Sequence, residues 1–266
     1  TLARGANRSR APEALVDEAQ RLADAHAEIV LTGVHIGTYG RDLGISLGAL
    51  VSTLVERVPT VRFRLTSIEA TEVDPALAEH LRDGGRRVAP HLHAPLQSGA
   101  DAVLRRMGRH WYTADAYRAA VQRLMADRPV FALSGDVITG FPGETADDHA
   151  QTVRLVHELP FTALHVFPYS ARPGTAAERL GGAVPGPVAR DRSAELRELA
   201  ADKAAAYAAR RGGGQADVIV IGTGPSRHGL TEDYLSVALE EPKPPRGARF
   251  DARLVADATG LRAVPC

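Results

Sequence analysis

Apolar residues Leu15, Ala19, Leu22 and Ala23 recur at helical spacing among acidic neighbours over 12–25, and an almost continuous apolar run follows at 28–34. The first stretch predicts an amphipathic helix and the second a buried strand. The alternation then repeats, with helices expected at 47–57, 75–83, 113–127 and 145–158 and strands at 61–68, 88–93, 131–138 and 162–167. Repeated βα units with nearly unbroken apolar strands imply an α/β fold whose parallel sheet is covered by helices. The pattern opens on a helix, so the strand that should precede it is missing. Restoring it gives six strands, which suits a partial barrel, with a doubly wound sheet as the other arrangement. In both, function sits at the carboxyl ends of the strands. An unpaired edge beside Val30 would make the chain poorly soluble alone.

After 180 the periodicity changes. Gly181-Gly182-Ala183-Val184-Pro185-Gly186-Pro187 reads as a linker, and 188–211 as an Ala- and charge-rich helix stopped by Gly212-Gly213-Gly214. Short β runs at 216–221, 234–239, 248–256 and 261–264 then suggest a small antiparallel barrel. The expected organisation is a barrel-like unit over 1–180, a linker and helix over 181–211, and a small β-barrel over 212–266.

Composition narrows the partners. Lys plus Arg and Asp plus Glu are 32 each, so no global field attracts nucleic acid or membrane, and any such binding needs a local patch. Lys203 and Lys243 are the only lysines, a skew that looks like codon bias and weakens each Arg as a phosphate signal. No apolar run approaches the roughly 18 residues of a membrane span, and no signal pattern opens the chain, so a cytoplasmic protein without a membrane partner is expected. One cysteine, Cys266, excludes an internal disulfide framework and a multi-cysteine metal site.

Polar and Gly-rich segments follow the strands. The first is Thr32-Gly33-Val34-His35-Ile36-Gly37, an ordinary βα turn or a place where backbone approaches a ligand. His91 and His93 point the same way from a strand, as metal ligands or as a polar strand end, and no metal site is assigned to them. Further on come Pro95-Leu96-Gln97-Ser98-Gly99, Asp136-Val137-Ile138-Thr139-Gly140-Phe141-Pro142-Gly143-Glu144-Thr145 and Phe167-Pro168-Tyr169-Ser170-Ala171-Arg172-Pro173-Gly174-Thr175. The Gly-Phe-Pro-Gly turn before Glu144 leaves helix N–H groups facing an anion or adenine edge, unless Glu144 and Thr145 simply cap the helix.

Taken in order, with Arg64-Leu65-Thr66-Ser67-Ile68-Glu69 and Arg4-Gly5-Ala6-Asn7-Arg8-Ser9-Arg10, these segments resemble the radical S-adenosylmethionine methylthiotransferases. The resemblance runs from Arg4 to the C-terminus, and the threonylcarbamoyladenosine branch is most similar. It implies a partial (β/α)6 TIM-like radical SAM barrel lacking its first strand, followed by an RNA-binding barrel like the family's TRAM domain. In the family a CxxxCxxC loop that holds a [4Fe-4S] cluster precedes the segment that Arg4–Arg10 resembles. Here that loop would precede Thr1, so the chain is expected to be a piece of a longer protein and inactive alone.

The resemblance also implies roles. S-adenosylmethionine would meet Gly33 with its methionine end, Glu69, Gln97 and Ser98 with its ribose and carboxylate, and Asp136, Gly140 and Tyr169 with its adenine. Catalytic residues stay unassigned. For RNA, Arg4, Arg8 and Arg10 form an acid-free patch, and Arg82, Arg86, Arg87, Arg105, Arg106 and Arg109 outnumber Asp83 and Asp101. Trp111, Tyr112 and Tyr234 are candidates for stacking on bases or for burial in the core. The expected activity is methylthiolation of N6-threonylcarbamoyladenosine in a tRNA anticodon stem-loop, by a monomer served by sulfur and electron donors. Two alternatives are a ribosomal-protein aspartate methylthiotransferase and a non-catalytic S-adenosylmethionine- or RNA-binding remnant. A barrel lyase or isomerase lacks an evident acid–base pair at the strand ends.

Overall fold

Alternate residues of the β runs face two different environments, which decides how the strands assemble. In the computed structural model, which describes residues 8–82, 86–258 and 260–266, strands β1 (Glu28–Leu31), β2 (Arg62–Leu65), β3 (Val88–His93), β4 (Ala132–Thr139) and β5 (Phe161–Pro168) form one sheet in the order 1-2-3-4-5. All its pairings are parallel. Ile29, Phe63, Leu65, Leu92, Leu133 and Val137 are buried in the main core. That core lies under α1 (Pro12–Ala23), α2 (Leu47–Arg57), α3 (Pro75–Arg82), α4 (Asp101–Arg106), α5 (Ala114–Met125) and α6 (Ala146–Glu158). The expected partial parallel barrel is therefore present as five strands. Helix starts follow their caps: Ser46, Thr113 and Thr145 each accept from a first-turn N–H, and Thr145 with Asp148 completes a capping box.

Helix α7 (Gly186–Arg211) packs along β5 and leads to a second β unit. Ser193 Oγ lies 2.6 Å from Thr139 Oγ1, and Arg197 donates to the Val166 carbonyl at 3.0 Å. Strands β6 (Gln215–Ile221), β7 (His228–Leu230), β8 (Ser236–Leu239), β9 (Arg249–Asp257) and β10 (Gly260–Pro265) close into a barrel in the order β10-β8-β7-β6-β9. Val218, Val220, Val237, Leu239 and Leu254 fill it. A Cβ on Gly229 would stand 2.6 Å from Val218 Cγ1 and 2.7 Å from Val237 Cγ2, so barrel closure at β7 depends on that glycine. Among the described residues no helix is long and apolar enough to cross a membrane.

The second face of the sheet meets this barrel through buried charge. Arg62 and Arg64 are 0% and 1% exposed. Arg62 Nε donates to Glu28 Oε2 at 2.6 Å, and Arg64 reaches both Glu28 oxygens at 2.9 Å. Both also reach across to the small barrel: Arg62 Nη1 donates to the Asp217 carbonyl at 2.8 Å, and Arg64 donates from Nη1 to the Glu232 carbonyl and from Nη2 to the Thr231 carbonyl, each at 3.1 Å.

Four local differences from the sequence reading have physical causes. Helix α4 follows the third strand, and at six residues it is too short to show a helical period although Val103 and Leu104 are buried. The first strand stops at Leu31 because Thr32 and Gly33 leave the sheet for a cavity wall. β7 is too short, at three residues, to show a period. The run expected to start at Tyr234 starts at Ser236, since Tyr234 holds a left-handed φ of 68° in the turn before it.

Candidate functional site

A cavity of about 830 Å³ opens where β1, β2 and β3 end. Thr32, Gly33, Val34, His35 and Ile36 line it after β1, Ser67 and Glu69 after β2, and Pro95 after β3. Ser67 turns the chain there at φ 58°. Arg109 and Trp111, from the loop between α4 and α5, and Arg8 and Arg10 complete the wall. Glu69 is 7% exposed, and both its oxygens are engaged: Arg109 Nη1 donates to one at 2.6 Å and Trp111 Nε1 to the other. The Arg109 guanidinium also sits 5.7 Å from the Trp111 ring centroid. Behind this pair His35 Nε2 lies 2.8 Å from Glu72 Oε2. Burial raises the Glu72 carboxyl above its ordinary value, opposed by His35 and reinforced by the Glu69 charge.

A second polar cluster lies on the face of β3, β4 and β5 away from the helices. His91 Nε2 and His93 Nδ1 each lie 3.0 Å from Ser134 Oγ, and His93 Nε2 lies 3.3 Å from Asp136 Oδ2. His165, beside Asp136 in the register, forms with His93 and Asp136 a group of three whose ligand atoms all fall within 4.8 Å of one another. His35, Glu69 and Glu72 form a comparable group, but Arg109 and Trp111 already occupy Glu69. Burial, with the neighbouring Arg64 and His93 charges, holds His91 well below its ordinary imidazole value. The fold thus favours neutral His91, while the unfolded chain takes up a proton below about pH 6.5. Stability is expected to fall as pH drops from 7 toward 5, by up to about 1.4 kcal/mol per pH unit. Chemical denaturation of His91→Gln checks this, since the variant must show a flatter slope over that interval.

The structure brings Gly33, Glu69, Arg8 and Arg10 together on the cavity wall. Arg4 lies outside the described residues. Asp136 belongs to the histidine cluster. Gln97, Ser98, Gly140 and Tyr169 do not line the cavity. Gln97 turns at φ 66°, its N–H donating to the Asp136 carbonyl at 2.7 Å and its carbonyl accepting from Ile138 N–H at 2.9 Å. Ser98 is fully buried, with Oγ 3.3 Å from Thr152 Oγ1 and accepting from Ala100 N–H at 3.2 Å. Gly140, at φ 71°, packs against α7, where a Cβ would stand 2.6 Å from that of Ala189. Tyr169 packs edge-on to Phe141 at 5.1 Å with its buried hydroxyl unpartnered. Tyr112 is buried, whereas Trp111 and Tyr234 are 55% and 51% exposed. Arg109 stands in the sequence only as part of a basic span, because 40 residues separate it from Glu69.

The donor set fits one part of the implied chemistry. A cavity of this volume, whose wall carries the Glu69–Arg109 pair together with Arg8 and Arg10, suits a zwitterion such as the methionine end of S-adenosylmethionine. A [4Fe-4S] cluster does not fit the residues present, since the single thiol, Cys266, is exposed just beyond β10.

The radical SAM superfamily model matches residues 2–156. Threonylcarbamoyladenosine tRNA methylthiotransferase MtaB of Bacillus subtilis is 42% identical over 211 residues, 78% of this chain and 46% of that protein. The Thermotoga maritima protein of the same name is 40% identical over 212 residues, 79% of this chain and 48% of that one. The chain thus spans about half the length of the curated relatives it matches. Among solved structures, coproporphyrinogen III oxidase (HemN) from Escherichia coli, a radical SAM enzyme, superposes with a TM-score of 0.54 over 85% of this chain and 58% of that one. At 17% identity that likeness speaks for the fold. The relatives it matches are named as methylthiotransferases, and the chain itself belongs to the radical SAM superfamily.

Proposed function

We propose that this chain provides the cofactor cradle and RNA-facing barrel of a cytoplasmic, monomeric tRNA methylthiotransferase acting on N6-threonylcarbamoyladenosine in the anticodon stem-loop. The observation that carries the reading is the mixed-charge cavity at the ends of β1 and β2, where Glu69 fixes Arg109 beside the Thr32–Ile36 turn. The names of the relatives supply the substrate. S-adenosylmethionine with a [4Fe-4S] cluster, when bound, supplies the one-electron chemistry that opens an unactivated C–H bond. The cluster ligands and the sulfur and electron donors lie outside these residues, so the chain alone is expected to be inactive.

The chain's own residues bind and orient. Arg109 pairs with the cofactor carboxylate, and Glu69 holds the guanidinium against the wall. Backbone at Gly33 contacts the methionine end. Gln97, turned at φ 66°, and Ser98 next to it shape the ribose and carboxylate side, and Gly140, at φ 71°, shapes the adenine side with Tyr169. Asp136, with His93 and His165, faces the substrate side. Arg8 and Arg10, which line the cavity, attract phosphate there.

Gly33 offers a clean test. The nearest protein atom to a Cβ there is Ile36 Cβ at 3.7 Å, an ordinary contact, so Gly33→Ala leaves the denaturation midpoint unchanged. If cofactor approaches this backbone, the same variant binds S-adenosylmethionine about tenfold more weakly by equilibrium dialysis, as does Arg109→Ala. Equal affinity in wild type and both variants would place the cofactor elsewhere. The activity itself is tested on the longest in-frame product that contains this sequence, made anaerobically and assayed for iron, sulfide and methylthioadenosine in tRNA.

A further inference from the structure

The turn between β7 and β8 places Tyr234 against the sheet in an unusual way. Tyr234 holds φ 68°, a backbone region that a bulky residue occupies only when its surroundings impose it. The surroundings here are dense. Tyr234 N–H donates to the Thr231 carbonyl at 3.1 Å, Leu235 N–H to Thr231 Oγ1 at 2.9 Å, and Thr231 Oγ1 to Asp233 Oδ1 at 2.5 Å. Arg64 binds the Thr231 and Glu232 carbonyls from the sheet. The turn is therefore fixed from both sides, yet the side chain it presents is 51% exposed.

The ring's orientation follows from its neighbours. The His91 ring stacks on it at 4.5 Å and 16°, and the Arg64 guanidinium lies 5.0 Å from its centroid. His91 and Arg64 occupy neighbouring strands and the same face of the sheet, and both contact the Tyr234 ring. Between them they leave the residue half exposed. Beside it is a recess of about 320 Å³ lined by Val30 and Thr66 of the sheet edge, Ile219, Ile221 and Leu230 of the small barrel, and Arg246. Arg246 is exposed and has no ion-pair partner among the described residues.

We propose that the outer face of Tyr234 is a stacking platform for an unpaired base of single-stranded RNA, with Arg246 taking an adjacent phosphate. The inference rests on the RNA-substrate reading above and adds a second contact point, between sheet and small barrel and separate from the cofactor cavity. A flat π face beside a free cation matches the way single-stranded nucleic acid is held without sequence readout. A fixed ring loses little side-chain entropy on stacking. A purine ring can also come from S-adenosylmethionine, and the unpaired Arg246 favours the source that carries phosphates.

The test is fluorescence anisotropy of a labelled single-stranded oligoribonucleotide with the whole chain, Tyr234→Phe, Tyr234→Leu and Arg246→Ala, each checked for an unchanged melting transition. Tyr234→Phe should match wild type, and Tyr234→Leu should bind on the order of tenfold more weakly. Arg246→Ala should weaken binding and reduce the dependence of log K on log salt by about one unit. RNA bound equally by wild type and Tyr234→Leu overturns the platform while leaving the RNA reading standing. No RNA binding by wild type overturns the RNA reading and the platform together. A loss of S-adenosylmethionine binding in Tyr234→Leu, with RNA affinity intact, assigns the ring to the cofactor and also overturns the proposal.

Discussion

Glu28→Ala is expected to destabilise the chain by about 3–5 kcal/mol, because it strands two buried guanidinium groups. Arg62 and Arg64 have side chains 0% and 1% exposed, and Glu28 is the one carboxylate that both of them hold. Asp217, 3.2 Å from Arg62, cannot replace it for Arg64 and is already bound by Arg249. Burial alone would raise the Glu28 carboxyl, yet the charges and hydrogen bonds of Arg64 and Arg62 bring it below its ordinary value. A carboxyl lowered in the fold contributes stability that is present above the unfolded value near 4.5 and is lost as pH falls through the folded one. Glu28→Ala must therefore lower the urea midpoint at pH 7 and flatten the acid limb below about pH 4.5. Replacing Glu28, Arg62 and Arg64 together by Met should recover only part of the loss. That triple change removes the charge penalty but takes the arginine donors from the Asp217 and Glu232 carbonyls, at about 1–3 kcal/mol each, while Tyr234 N–H still serves the Thr231 carbonyl. A Glu28→Ala midpoint within 1 kcal/mol of wild type would show that water reaches the arginines.

The same network explains what the sequence could and could not disclose. The βα alternation is legible because parallel strands buried between layers read as apolar runs, and Phe63, Leu65, Leu92 and Leu133 are buried as that rule requires. Arg62 and Arg64 break the run on alternate positions. That spacing marks a polar face but does not name its partners, which come from Asp217, Thr231 and Glu232, 155 to 168 residues away. The strand-end rule led directly to Gly33 and Glu69, whose surroundings are set by where β1 and β2 stop. It could not foresee that Gly140 packs against Ala189 of α7, since a helix contact and a ligand contact both demand a small residue there. Nor could it see that Trp111 stays exposed while adjacent Tyr112 is buried with its hydroxyl on the Leu96 carbonyl. The side to which a loop aromatic turns depends on tertiary packing, which no local period encodes.

Asp233→Ala should have a comparable effect on the other side of the junction, again about 3–5 kcal/mol. Its side chain is fully buried, and its two oxygens take three donors: Thr231 Oγ1 at 2.5 Å on one, Tyr207 hydroxyl at 2.6 Å and Arg211 Nε at 2.7 Å on the other. Asp233→Asn keeps the shape but offers one acceptor oxygen and an NH2 that must face a donor, so it loses at least one of these bonds. Its loss should be smaller than that of the alanine variant, since Glu232, 3.0 Å from Arg211, still balances the charge. The Tyr207 phenol supplies an independent readout. Burial raises it first, and the Asp233 charge adds to the rise. A group raised in the fold contributes stability that is complete below the unfolded value near 10 and declines as pH climbs beyond it. Wild type should therefore lose stability above about pH 10, and Tyr207→Phe should lose less. Asp233→Ala removes part of the cause and should shallow the same alkaline slope while lowering the midpoint at pH 7. Because Asp233 holds Thr231, and Thr231 holds the turn that presents Tyr234, the variant should also weaken oligoribonucleotide binding under conditions where it remains folded. Binding unchanged beside a lowered midpoint would mean that the Arg64 bonds to the Thr231 and Glu232 carbonyls are enough to keep the ring in place.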